Sequence, residues 1–195
     1  MISLGNTCAV AYQMKKFNVR TQAYPFDWLR VDKLSHINRL LEDRFEIDSF
    51  LDVTEISRSD KFPIRGKNGI SIIMQNKYNM KFYHDFSLNY NMDDIKTKYT
   101  RRRDRFMNYI KTNNKICFIR DELNMNRLNL DDIEKFINII QGMNKNIEIN
   151  LIIIVHNPKS KPLKYETSGN IQIVNDIQPF GDWTRPNVDW KEIFN

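Results

Sequence analysis

The chain has 195 residues, 41% hydrophobic and 28% charged, a composition that fits a globular protein with a real core. Its most apolar run, Leu151 to Val155, is far too short to cross a bilayer, and no secretory leader precedes the first apolar stretch. The net charge of +6 owes much to Lys96, Lys98 and the run Arg101 to Arg105. With no recognition motif beside it, that run reads as a solvated helix face, and nucleic acid is not an expected partner.

No repeat or Gly/Ser-rich linker divides the chain, so one domain over 1–195 is expected. An apolar strand from Met1 to Leu4 breaks at Gly5, and Asn6 or Thr7 can cap a helix beyond the break. Val10, Met14 and Phe17 then recur at helical spacing. The segment Ala23 to Leu29 is a loop dense in aromatics with one carboxylate. It should fold inward, with Trp28 substantially buried, Phe26 packed on the first helix and Asp27 aimed toward the site. A second helix runs from Asp32, its cap, to Arg44, with Leu34, Ile37, Leu41 and Phe45 inside and His36 exposed.

Short strands come next, at Ile70 to Gln75 and Lys81 to His84. Asp93 to Thr112 is a long helix. Lys115 to Arg120 is a strand whose Cys117 should be buried. Asn129 caps a helix with Leu130, Ile133, Ile137 and Ile140 inside. Ile149 to Val155 is a strand of continuous apolar residues, expected where both faces are covered, and Ile171 to Val174 adds another. The order predicts a single three-layer α/β domain with a mostly parallel sheet and helices on both faces. In such sheets working residues gather beyond the carboxyl ends of the strands. Here those positions hold Cys8, then Arg120-Asp121-Glu122, His156-Asn157 and Asn175-Asp176; His84 also ends a strand.

Cys8 in the first turn of a helix is the outstanding candidate for chemistry. Free N–H groups at a helix start stabilise a thiolate and can hold an oxyanion, so Cys8 is expected to ionise below its ordinary value. A cysteine nucleophile also needs a base and a group to orient it. His84 and His156 are the placed histidines. Asp27, Asp85, Asp121, Asn157 and Asp176 are the orienting candidates, and spacing alone does not choose among them. Asp85, adjoining His84, would normally point to the opposite face of the strand. Distant cysteines, no zinc-ligand spacing and no phosphate-cradling glycine pattern argue against any metal or cofactor. Two cysteines do not make a disulfide scaffold, and a reducing, cytoplasmic setting fits best. Trp183 and Trp190 read as anchors for the C-terminal segment in preference to a groove lining.

Several blocks together resemble a known family. They are Ile2-Ser3-Leu4-Gly5 with Cys8 and Ala11, Ala23 to Leu29, His84-Asp85-Phe86, Arg102 with Arg105-Phe106, and Phe118-Ile119-Arg120. In order and over nearly the whole chain they resemble an uncharacterised family assigned by motif as papain-like cysteine peptidases, found in bacteria and large DNA viruses. The resemblance implies Cys8 as nucleophile and His84 as base, and a papain-like α+β fold with an antiparallel sheet as the alternative architecture. Leu4 to Cys8 is also similar to the cysteine box of ubiquitin-specific proteases, a likeness in how a cysteine is presented.

The resulting expectation is a cysteine-dependent hydrolase acting on a peptide, or a thiol-dependent acyl hydrolase or transferase acting on an ester or amide of a glycan. Cys8, His84 and Asp27 would be catalytic. Asn6, Trp28 and Arg120 would contact substrate, Arg120 through an anionic group. The alternative is a non-catalytic binding module.

Overall fold

The computed structural model describes residues 1–61, 70–123, 128–156, 171–176 and 182–195. In chain order the elements are β1 (Ile2–Ser3), α1 (Ala9–Lys16), β2 (Leu29–Val31), α2 (Leu34–Glu42), α3 (Ile47–Phe50), β3 (Val53–Ser59), β4 (Ser71–Asn76), β5 (Met80–Ser87), α4 (Met92–Thr112), β6 (Lys115–Glu122), α5 (Leu130–Met143), β7 (Glu148–His156), β8 (Ile171–Asp176) and α6 (Trp190–Phe194).

The parallel sheet expected from the second half of the chain is present, in the order β1-β6-β7-β8. Alternate residues of its strands serve two cores, as strand geometry requires. Phe118, Leu151 and Ile153 face the cluster that holds Phe106 and Ile110 of α4 with Ile133 and Phe136 of α5. Ile119, Ile152 and Ile154 face Val10 and Met14 of α1 with Trp190 and Phe194 of α6. Asn91 and Asn129 cap α4 and α5, each side-chain oxygen accepting from two amides in the first turn of its helix.

A second sheet departs from the single-sheet expectation. It is antiparallel, in the order β2-β5-β4-β3. Its outer strands give weak sequence signals. β2 has three residues and emerges straight from the aromatic loop, and β3 is a largely exposed edge whose alternation is broken by a bulge between Glu55 and Ser57. Helix α2 begins at Leu34, not at Asp32, whose carboxylate instead pairs with Arg30 and Lys81. His36 is half-buried rather than exposed, and desolvation pulls its imidazole down to about 4. Cys117 is half-buried at the edge of the α1 core.

Phe26 belongs to the main core, not to the cluster built on Val10 and Met14 of α1. It is fully buried in the main core, stacked 5.9 Å from Phe45 and edge-on at 5.6 Å to Phe106. The C-terminal tryptophans divide the two readings between them. Trp190 is an anchor: it stacks on Phe194 and donates from Nε1 to the Arg185 carbonyl at 2.7 Å. Trp183 is 50% exposed and meets Tyr12 of α1 edge-on. Trp190→Ala should therefore cost about 3–5 kcal/mol in a denaturation experiment, and Trp183→Ala less than about 1 kcal/mol.

Candidate active site

The nucleophile turn is made by two consecutive left-handed residues, Gly5 (φ 72°) and Asn6 (φ 78°). Glycine takes this conformation without steric cost, and asparagine visits it more readily than most residues. A side chain at Gly5 would also meet the Phe26 and Leu29 carbonyls at 3.1 and 3.2 Å. Thr7 then stitches the turn in both directions. Its hydroxyl donates to Asp121 at 2.8 Å and accepts from the Ala9 amide at 3.2 Å. Cys8 is the residue that opens α1.

Asn6 is buried and donates through Nδ2 to Glu122 at 3.2 Å. Glu122 is ion-paired with Arg120. Arg120 is 1% exposed and donates to the Leu4 carbonyl at 3.2 Å and the Val31 carbonyl at 3.0 Å. Its donors are committed inside the protein, so the expected contact with an anionic substrate group does not fit its position. Arg120 ties β1 to β2.

His84 reaches Cys8 from the other sheet, with Nε2 3.7 Å from Sγ. A bulge makes this possible. Between the pairs Ile72–Phe86 and Met74–Phe82, β5 carries two more residues than β4. The extra residues re-aim their side chains. Tyr83 and His84 both line the cleft, while Asp85 turns to α4, accepting from the Tyr99 hydroxyl at 2.8 Å and pairing with Lys98. Asp85 thus lies on the opposite side from His84.

Trp28 is half-buried and stands edge-on to the His84 ring at 6.4 Å. The Arg20 guanidinium lies 5.8 Å from the Trp28 ring centre. Asp27 holds Arg20 through Nε at 3.0 Å and also accepts the Tyr24 amide at 3.0 Å. The carboxylate therefore anchors Arg20 and the aromatic loop.

A cavity of about 740 Å³ opens at Cys8 and His84. Its described lining also includes Asn6, Trp28, Arg30, Tyr83, His156 and Trp183. His156 approaches Asp176 through Nδ1 at 3.3 Å. Arg185, 3% exposed, bridges Asp176 and Asp121 at 3.0 Å each. Of the orienting candidates, Asp121 and Asp176 thus belong to one buried network beneath the nucleophile turn, and Asn157 lies outside the described residues. The part played by Arg185 had no sequence signal, because its partners lie at the ends of two different strands.

Burial pushes the Cys8 thiol up to about 12, and the charges of Asp85 and Asp27 push the same way. This runs against the low-pKa thiolate expected from the helix start: lost hydration and two carboxylates both favour the thiol. Replacing Asp85 with Asn removes one of those charges and must lower the Cys8 pKa. Alkylation follows the thiolate fraction, so iodoacetamide labelling of Cys8 at pH 8 should accelerate in Asp85→Asn. The gain is roughly tenfold for each unit the pKa falls. An unchanged rate would remove Asp85 from the electrostatics of the site.

No solved structure matches the chain. An uncharacterized protein of Acanthamoeba polyphaga mimivirus is 33% identical over 214 aligned positions, covering 98% of this chain and 95% of that protein. The family model described as "Putative papain-like cysteine peptidase (DUF1796)" matches residues 1–159, the span that holds Cys8, His84 and both sheets up to β7. Matched over most of its length, the chain belongs to this family, DUF1796.

Proposed function

We propose that the protein is a cysteine-dependent acyl hydrolase with papain-like peptidase chemistry, acting on a peptide or another acylated substrate. The observation that carries this reading is the 3.7 Å approach of Cys8 Sγ to His84 Nε2 at a cavity of about 740 Å³. Because the thiol is held protonated, attack and proton removal go together. Sγ bonds to the carbonyl carbon as His84 Nε2 takes its proton. Backbone N–H groups at Thr7 and Cys8 hold the oxyanion. Collapse expels the amine or alcohol, which leaves with the proton from His84. Water then gives its proton to His84 and its oxygen to the thioester carbon. The acid departs, and the proton returns to sulfur.

Trp28 fixes the plane of the His84 ring. Asp27 acts through Arg20 and Trp28, as a positioning residue. The cleft takes residues from both sheets, so neither sheet holds the site alone, and 1–195 is read as one functional unit. A thiol nucleophile suits a reducing, cytoplasmic setting. No described helix is long and apolar enough to cross a membrane.

Hydrolysis of p-nitrophenyl acetate provides the test. Cys8→Ala should abolish the protein-dependent rate, and His84→Ala should reduce it by about 10²–10⁴. Asp27→Asn should reduce it by about tenfold while the protein stays folded. If Cys8→Ala retains the rate of the parent protein, the nucleophile assignment fails and a binding role for the aromatic cleft takes its place.

A further inference from the structure

The C-terminal segment leaves one large apolar ring in solvent, and it does so at the cleft. Residues around that ring are pinned. Arg185 is 3% exposed and bridges Asp121 and Asp176, the Thr184 carbonyl accepts from Gln13 of α1, and Trp190 is buried in the α1 core. Trp183, beside these anchors, is 50% exposed, and Tyr12 braces its ring edge-on at 5.2 Å. An aromatic side chain held in place and left partly uncovered offers contact area at little ordering cost to binding.

The place of Trp183 follows from α1. The Tyr12 amide donates to the Cys8 carbonyl at 2.9 Å, so Tyr12 stands one helical turn beyond Cys8 on the same face. Trp183 packs on Tyr12 and lines the same cavity as Cys8. Trp28 is reached from Cys8 through the His84 ring, and Tyr83 adjoins His84 in β5. Both line this cavity too. Three aromatic side chains from separate parts of the chain thus stand around one reactive pair. We propose that they form a subsite for an aromatic side chain on the acyl part of the substrate, with Trp183 as the specificity-determining residue. This rests on the hydrolase reading above and names its substrate class: a peptide or acylated amino acid with an aromatic side chain next to the scissile carbonyl. Edge-to-face and offset contacts between rings add to the burial of area, so an aromatic guest is favoured over an aliphatic one. The family model ends at residue 159, so Trp183 supplies its wall from outside the matched span.

The p-nitrophenyl esters of N-acetylglycine, N-acetylleucine and N-acetylphenylalanine provide the test, because they share a leaving group and differ only in side chain. In the reaction Sγ bonds to the ester carbon, and the p-nitrophenyl oxygen leaves with the thiol proton by way of His84. Water then releases the N-acetyl amino acid and restores the thiol. After subtraction of the spontaneous rate, kcat/KM of the parent protein should favour the Phe ester over the Gly ester by about 10², with the Leu ester between. Trp183→Ala should lower that Phe-to-Gly ratio by about tenfold, chiefly through KM for the Phe ester. Trp183→Phe, which keeps a ring at the position, should retain most of the ratio. A parent protein with no preference for Phe over Gly overturns the subsite and leaves the hydrolase reading standing, provided hydrolysis still depends on Cys8. So does a ratio that is unchanged in Trp183→Ala, or that falls as far in Trp183→Phe as in Trp183→Ala. Absence of Cys8-dependent hydrolysis with all three esters overturns both.

Discussion

The turn from Gly5 to Cys8 is the constraint on which the rest of the site depends. It leaves the first parallel strand, passes against the carbonyls of Phe26 and Leu29, and starts a helix within four residues. Two consecutive left-handed residues let the chain reverse in so little length. As a result Cys8 stands where the parallel sheet meets the antiparallel one. Arg120 reinforces that junction by donating to Leu4 on one side and Val31 on the other.

Buried ion pairs then hold the turn from below. The carboxyl ends of β6 and β8 bring Asp121, Glu122 and Asp176 into the interior, and Arg120 and Arg185 answer them. Such pairs contribute little net stability compared with apolar packing, but removing one partner strands the other and costs about 3–5 kcal/mol. Their effect here is geometric. Asp121 fixes Thr7 and Glu122 fixes Asn6, so the residues flanking Cys8 are tied to rigid strand ends rather than left on a free loop. Arg185 carries the same network into the C-terminal segment, which Trp190 locks onto the core of α1.

The antiparallel sheet contributes His84 through an irregularity. In a regular strand His84 would share a face with Phe82 and Phe86, which are fully buried. The two extra residues of β5 release His84 to the cleft and send Asp85 to α4. Burial at the junction has an electrostatic consequence as well. Cys8 is half-buried and lies near two carboxylates, and both effects favour its thiol form.

Periodicity and capping made the parallel half legible in the sequence. The unbroken apolar run of β7 required cover on both faces, and the stripes of α4 and α5, each capped by an asparagine, supplied part of it. The strand–glycine–cysteine–helix order likewise placed Cys8 at a helix start. These are local patterns, set by backbone geometry over a few residues. The outer strands β2 and β3 of the second sheet, the placing of Phe26 in the main core, the internal commitment of Arg120 and the clamp of Arg185 were not legible. Each depends on partners far away in the chain, as Leu29 and Phe82 or Thr7 and Asp121 are. The sequence by itself determined which elements form and which cysteine opens a helix. Only the tertiary structure decided how near His84 comes to that cysteine and how burial bears on its thiol, because proximity and desolvation exist only once the two sheets have packed together.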